Sequence, residues 1–68
     1  MDFIVKTESF LLPIEVKSAQ KVGYADGRSI ESFIKEYRIP TGIIVYPGNE
    51  IVEIRKDIFA VPDWFLFS

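Results

Sequence analysis

Cysteine and histidine are both missing from this 68-residue chain. Their absence excludes disulfide stapling, zinc sites of the usual kind, thiol nucleophiles and an imidazole base. Carboxylates, lysines and hydroxyls are left to carry any chemistry. Long apolar runs are missing as well. Stretches such as Gly42-Ile43-Ile44-Val45-Tyr46 fall far short of the ~20 residues a bilayer span requires, and the N-terminus has no signal-peptide charge pattern. A soluble, cytoplasmic protein is expected. There is also no excess of basic residues. The net charge is -2 and the isoelectric point near 4.9, so nothing attracts a phosphate backbone in general. Nucleic-acid binding would need a bound cation or a partner domain.

Hydrophobic residues make up 49% of the chain and aromatics 15%, which excludes a solvated tail or linker. The length suits a single domain over residues 1–68, and a chain this short buries only roughly 60% of its unfolded surface. A core this thin, with no staple, predicts a homo-oligomer or docking on a larger body. No repeat, low-complexity segment or linker interrupts the chain.

Two β-branched and aromatic runs, Asp2 to Lys6 and Phe10 to Lys17, flank the polar Thr7-Glu8-Ser9 and read as a hairpin. Glu8-Ser9 is not a favoured two-residue turn, so a longer loop around the same centre is an alternative. Pro13 removes one ladder donor and marks a bulge or an unpaired flank. Residues Ser18 to Gly27 read as a loop. From Arg28 to Arg38, Ile30, Phe33, Ile34 and Tyr37 recur at helical spacing, with Glu31, Lys35 and Glu36 facing away. Pro40 ends that helix.

Ile43 to Tyr46 is apolar enough for a strand covered on both faces. Pro47-Gly48-Asn49-Glu50 is a turn, and Ile51 to Ile54 is expected to complete a hairpin with the preceding strand. Ile58 to Val61 reads as a short strand, followed by a short helix or extended cap with Pro62 in its first turn. Trp64, Phe65 and Phe67 are expected in a core or an interface. The fold class is therefore α/β (α+β): a small mixed sheet of about four to five strands with one main helix packed on it.

A hairpin centred between Glu8 and Ser9 places Asp2 directly opposite Glu15. Directly opposed side chains share a face, and their like charges destabilise the pair unless a cation lies between them. Lys17 projects to the same face because strand side chains alternate. Two carboxylates beside an ammonium suit magnesium or manganese, which can polarise a phosphoryl oxygen and acidify bound water. Lys17 would then position the attacking water or steady the developing charge. The same Glu-x-Lys spacing also occurs on ordinary half-exposed strands. Gln20 and Lys21 either line the same cleft or are solvated loop residues. Tyr24, Arg28 and Arg38 read as surface and helix-end residues. No glycine pattern matches a phosphate-binding loop.

The succession Asp2-Phe3-Ile4-Val5, then Pro13-Ile14-Glu15-Val16-Lys17-Ser18, then an amphipathic helix and an apolar strand resembles the core of the PD-(D/E)xK nuclease superfamily. More narrowly, Pro13 to Ser18, the helix, Ile43-Ile44-Val45 and Ile58-Phe59-Ala60-Val61-Pro62 resemble the C-terminal domain of unknown function attached to many bacterial and archaeal AAA-family ATPases. The resemblance covers nearly the whole chain. It implies a restriction-endonuclease-like core, metal binding by Asp2 and Glu15, and a catalytic role for Lys17. In the superfamily a helix and a strand precede the aspartate, where this sequence has Met1. The resemblance therefore implies a truncated core, either a C-terminal fragment of a larger protein or a degenerate remnant. Two functions follow. One is a non-catalytic, nuclease-like accessory or interaction domain associated with an AAA-type ATPase; the other is a metal-dependent phosphodiesterase acting on DNA.

Overall fold

The structure, a computed structural model, describes residues 2–67. Strands β1 (Phe3–Lys6) and β2 (Leu11–Val16) form the expected antiparallel hairpin. Its register pairs Phe3 with Ile14 and Lys6 with Leu11, so the centre lies between Glu8 and Ser9 as the sequence indicates. Thr7 makes this unfavoured turn workable. Its Oγ1 accepts the N–H groups of Ser9 (3.2 Å) and Phe10 (2.9 Å) and donates to the Phe10 carbonyl (2.8 Å).

A single 3-10 turn (Tyr24–Gly27) leads into helix α1 (Arg28–Tyr37), which ends with Arg38 in the left-handed conformation. Strand β3 (Gly42–Tyr46) runs parallel to β2, β4 (Val52–Arg55) follows, and β5 (Ile58–Pro62) runs parallel to β3. The five strands lie in the order β1-β2-β3-β5-β4, and a short helix α2 (Asp63–Phe67) ends the described chain. This is the expected mixed α+β class, a mixed sheet carrying one main helix.

Three local expectations are corrected. β4 does not pair with β3. It forms a hairpin with β5 across Lys56 and Asp57, and β5 inserts beside β3. The reason is burial: β5 is buried along most of its length, whereas β4 exposes Val52 and Glu53, so β5 takes the inner place beside β3 and β4 takes the edge. Asp57 supplies the turn by adopting φ 66°, which Asp tolerates better than most side chains. Second, Pro62 is the last residue of β5, and α2 starts at Asp63. Third, Glu31 does not simply face away. Its Oε1 accepts from Arg55 Nη1 at 2.8 Å, tying α1 to β4, while Lys35 lies 3.7 Å off. Arg55 also donates through Nε to the Tyr24 carbonyl (2.6 Å) and lies over the Tyr24 ring at 3.8 Å.

The core lies between α1 and one face of the sheet, where Ile30 and Ile34 meet Ile44, Tyr46, Ile54, Ile58 and Ala60. Gly42 permits this approach, because a Cβ there would overlap Ile30 Cγ2. Pro13 sits in β2 opposite Ile4, and the parallel ladder to β3 begins only at Ile14 and Ile43. Its missing donor therefore falls on an unpaired flank. Trp64, Phe65 and Leu66 are exposed, outside the core of this chain, with Trp64 Nε1 donating to the Gly48 carbonyl at 3.0 Å. The Phe67 side chain lies outside the described residues.

Candidate functional site

Alternation along β2 sends Pro13 and Glu15 to the α1 side of the sheet and carries Lys17 to the same side. The Lys17 N–H donates to the Val45 carbonyl at 2.8 Å, which prolongs the parallel ladder and fixes its direction. Glu15 is only 9% exposed, beneath the start of α1. Burial of a carboxylate is costly without partners. Glu15 has two: Oε2 pairs with Lys17 Nζ at 2.8 Å, and Oε1 accepts from Ser29 Oγ at 3.2 Å.

Extending the β1–β2 register by one step sets Asp2 opposite Glu15, as the hairpin argument requires. The Asp2 carboxylate, however, turns onto the backbone, and its Oδ2 accepts the Val16 N–H at 2.6 Å. Glu15 and Lys17 are thus in direct contact, with Asp2 at their side. The hydrogen bond and charge of Glu15 hold the Lys17 ammonium above its ordinary pKa. Asp26 and Asp2 act in the same direction and desolvation opposes them.

Sequence reasoning misses Ser29 and Asp26. Asp26 reaches the cluster's field from the 3-10 turn, where its Oδ2 accepts the Gly23 N–H at 2.7 Å. Its only signal is the Asp26-Gly27 pair, which reads as loop punctuation. Ser29 is a single hydroxyl near a helix start and carries no motif.

Magnesium is often held by one or two carboxylates plus water, so Asp2 and Glu15 are enough in number. Their arrangement fits less well. Three of the four carboxylate oxygens already serve Val16, Ser29 and Lys17. Among the described residues no group of three acidic or imidazole side chains converges on one point. Gln20 and Lys21 line a groove of about 510 Å³ together with Tyr46, Asn49 and Glu50, at the ends of β2 and β3, and neither Glu15 nor Lys17 lines it. Tyr24 and Arg28 are exposed, and Tyr24 is occupied by Arg55.

Fold and site together define a small mixed α+β domain whose polar centre is a Glu15–Lys17 pair under a helix. The family model described as Domain of unknown function (DUF4143) matches residues 1–66, and the chain belongs to that family. Neither the curated proteins nor the solved structures include one that matches the chain. No helix among the described residues is long and apolar enough to cross a membrane.

Proposed function

We propose that this domain is a non-catalytic, nuclease-like accessory module that docks on an AAA-type ATPase. The observation that carries the reading is the internal satisfaction of the polar centre. Glu15 spends both oxygens on Lys17 and Ser29, and Asp2 spends Oδ2 on the Val16 backbone. In this arrangement the charges lock β2 to α1 and to β1. The pairing neutralises a buried carboxylate, which is how a structural ion pair is built. The likeness of Pro13-Ile14-Glu15-Val16-Lys17-Ser18 to the ATPase-attached domain supports the partner, and a net charge of -2 agrees with a protein target better than with a phosphate backbone.

A second reading, a metal-dependent PD-(D/E)xK phosphodiesterase acting on DNA, is favoured by the hairpin register, which sets Asp2 opposite Glu15 with Lys17 beside them. A bound magnesium or manganese ion would supply Lewis-acid polarisation of a phosphoryl oxygen. Asp2 and Glu15 would hold the ion, and Lys17, released from Glu15, would present its ammonium to developing negative charge.

Calorimetric titration with magnesium and with manganese separates the two. The accessory reading expects no saturable heat from the wild type or from Glu15→Gln. A saturable isotherm that vanishes in Glu15→Gln would overturn it and select the phosphodiesterase.

A further inference from the structure

The two edges of the sheet are built differently. At the β4 edge the ladder is irregular between Glu53 and Arg55, and Glu53 Oε2 accepts the Asp57 N–H at 3.0 Å. Arg55 is fastened to Glu31 and Tyr24. An irregular register and charged side chains are how proteins close an edge to further pairing. The β1 edge has a regular ladder, and its charges stand only at the two ends, Asp2 just before the strand and Lys6 as its last residue. All four of its residues are exposed, three of them apolar, and it is extended and regularly paired along its whole length on the β2 side.

The outward backbone groups of β1 follow from the ladder. Thr7 donates inward to the Phe10 carbonyl, so in an antiparallel ladder Phe3 and Val5 also bond to β2. The N–H and C=O groups of Asp2, Ile4 and Lys6 therefore point away from the sheet. An added antiparallel strand must pair its own outward residues with these.

We propose that β1 pairs antiparallel with β1 of a second copy of this chain about a two-fold axis at Ile4, joining two five-stranded sheets into one. In that register Ile4 faces its own counterpart, Phe3 faces Val5 and Asp2 faces Lys6, so each end of the interface sets opposite charges across from one another. All the outward groups from Asp2 to Lys6 find partners. No other register matches outward groups over the full strand. A two-fold contact of this kind is isologous and closes after two copies. The inference rests on backbone geometry and charge, and not on the Glu15 cluster, so its failure leaves the accessory reading to the metal titration.

The chain has no cysteine, so Ile4→Cys introduces a single thiol on the proposed axis. Hydrogen-bonded antiparallel partners have Cα atoms about 5.5 Å apart, a separation that a disulfide spans. Mild oxidation of Ile4→Cys is expected to give a covalent dimer, and oxidation of Glu8→Cys, beyond the paired residues, is expected to leave the chain single. In sedimentation equilibrium the wild type is expected to dimerise. Lys6→Glu should weaken the dimer at least tenfold, and adding Asp2→Lys to it should restore association. Circular dichroism verifies that each variant is folded. A wild type that stays monomeric to millimolar concentration overturns the proposal. So does a dimer indifferent to Lys6→Glu, or equal crosslinking at positions 4 and 8.

Discussion

Val16 and Val45 are register partners on one face of the sheet, yet Val16 is 46% exposed and Val45 only 1%. The difference divides the domain. On the α1 side, β2, β3 and β5 are sealed by a ten-residue helix whose apolar positions recur at helical spacing. On the opposite side α2 has five residues and cannot roof the sheet. Val45 and Val61 are buried there, whereas Phe3, Val5 and Val16 stand exposed around an open apolar groove of about 450 Å³, which Val45 lines from below and Leu66 reaches from α2. The same residue type in the same strand geometry is thus core in one half of the sheet and surface in the other. Helix length decides which.

Substitutions can break this comparison, starting at the sealed side. Ile44 is fully buried under α1, so Ile44→Ala should cost about 2–5 kcal/mol by chemical denaturation. For a domain this small, a loss of that size leaves much of the population unfolded at room temperature. Gly42→Ala acts by overpacking. A methyl group there would push Ile30 and lift α1 from β3, at about 1–3 kcal/mol, and Gly42→Ala with Ile30→Val should recover part of the loss. The sharpest contrast is between the paired valines. Val45→Thr buries a hydroxyl and is expected to lose about 1–3 kcal/mol, whereas Val16→Thr is expected to stay within about 0.5 kcal/mol of the wild type. Equal losses at the two positions would show that something covers the open groove in solution.

Local pattern carried much of the fold. The β1–β2 register was legible because the polar break at Thr7-Glu8-Ser9 has apolar runs on both sides, and a hairpin centre determines every pair in its ladder. Helix α1 was legible from Ile30, Phe33, Ile34 and Tyr37, although Tyr37 ends up exposed on the rim. Strand order was not legible. Pro47-Gly48-Asn49-Glu50 is a stronger turn signal than Lys56-Asp57, yet the weaker one closes the hairpin, because burying the more apolar β5 in the sheet interior outweighs the adjacency of β3 and β4 in sequence. The site divides in the same way. Period-two alternation brings Glu15 and Lys17 to one face, a local fact. Ser29 and Asp26 come from the far side of a loop and depend on where α1 docks. The partner of Glu31 is hidden from local pattern for the same reason, since Arg55, 24 residues away, arrives only after β4 takes its place at the edge.

The smallest effect concerns the polar centre on the α1 side, where Glu15 meets Lys17 and Ser29. Lys17 has a folded-state pKa raised chiefly by its bond to Glu15 and the charge of that residue. A raised lysine contributes stability that is fully present below its unfolded value, about 10.4, and is lost as pH climbs through the higher folded value. Lys17→Met lacks this contribution at every pH. The stability gap between wild type and Lys17→Met, measured by urea denaturation, should therefore be constant from neutral pH to about 10 and shrink above it. Every other side chain is common to both proteins, so the difference isolates Lys17. The gap itself should be modest, because the Lys17 side chain is 36% exposed and water screens its charge. A gap unchanged through the alkaline range would mean that Lys17 contributes by packing its methylene stem alone, and Glu15 would then depend on Ser29 to remain buried.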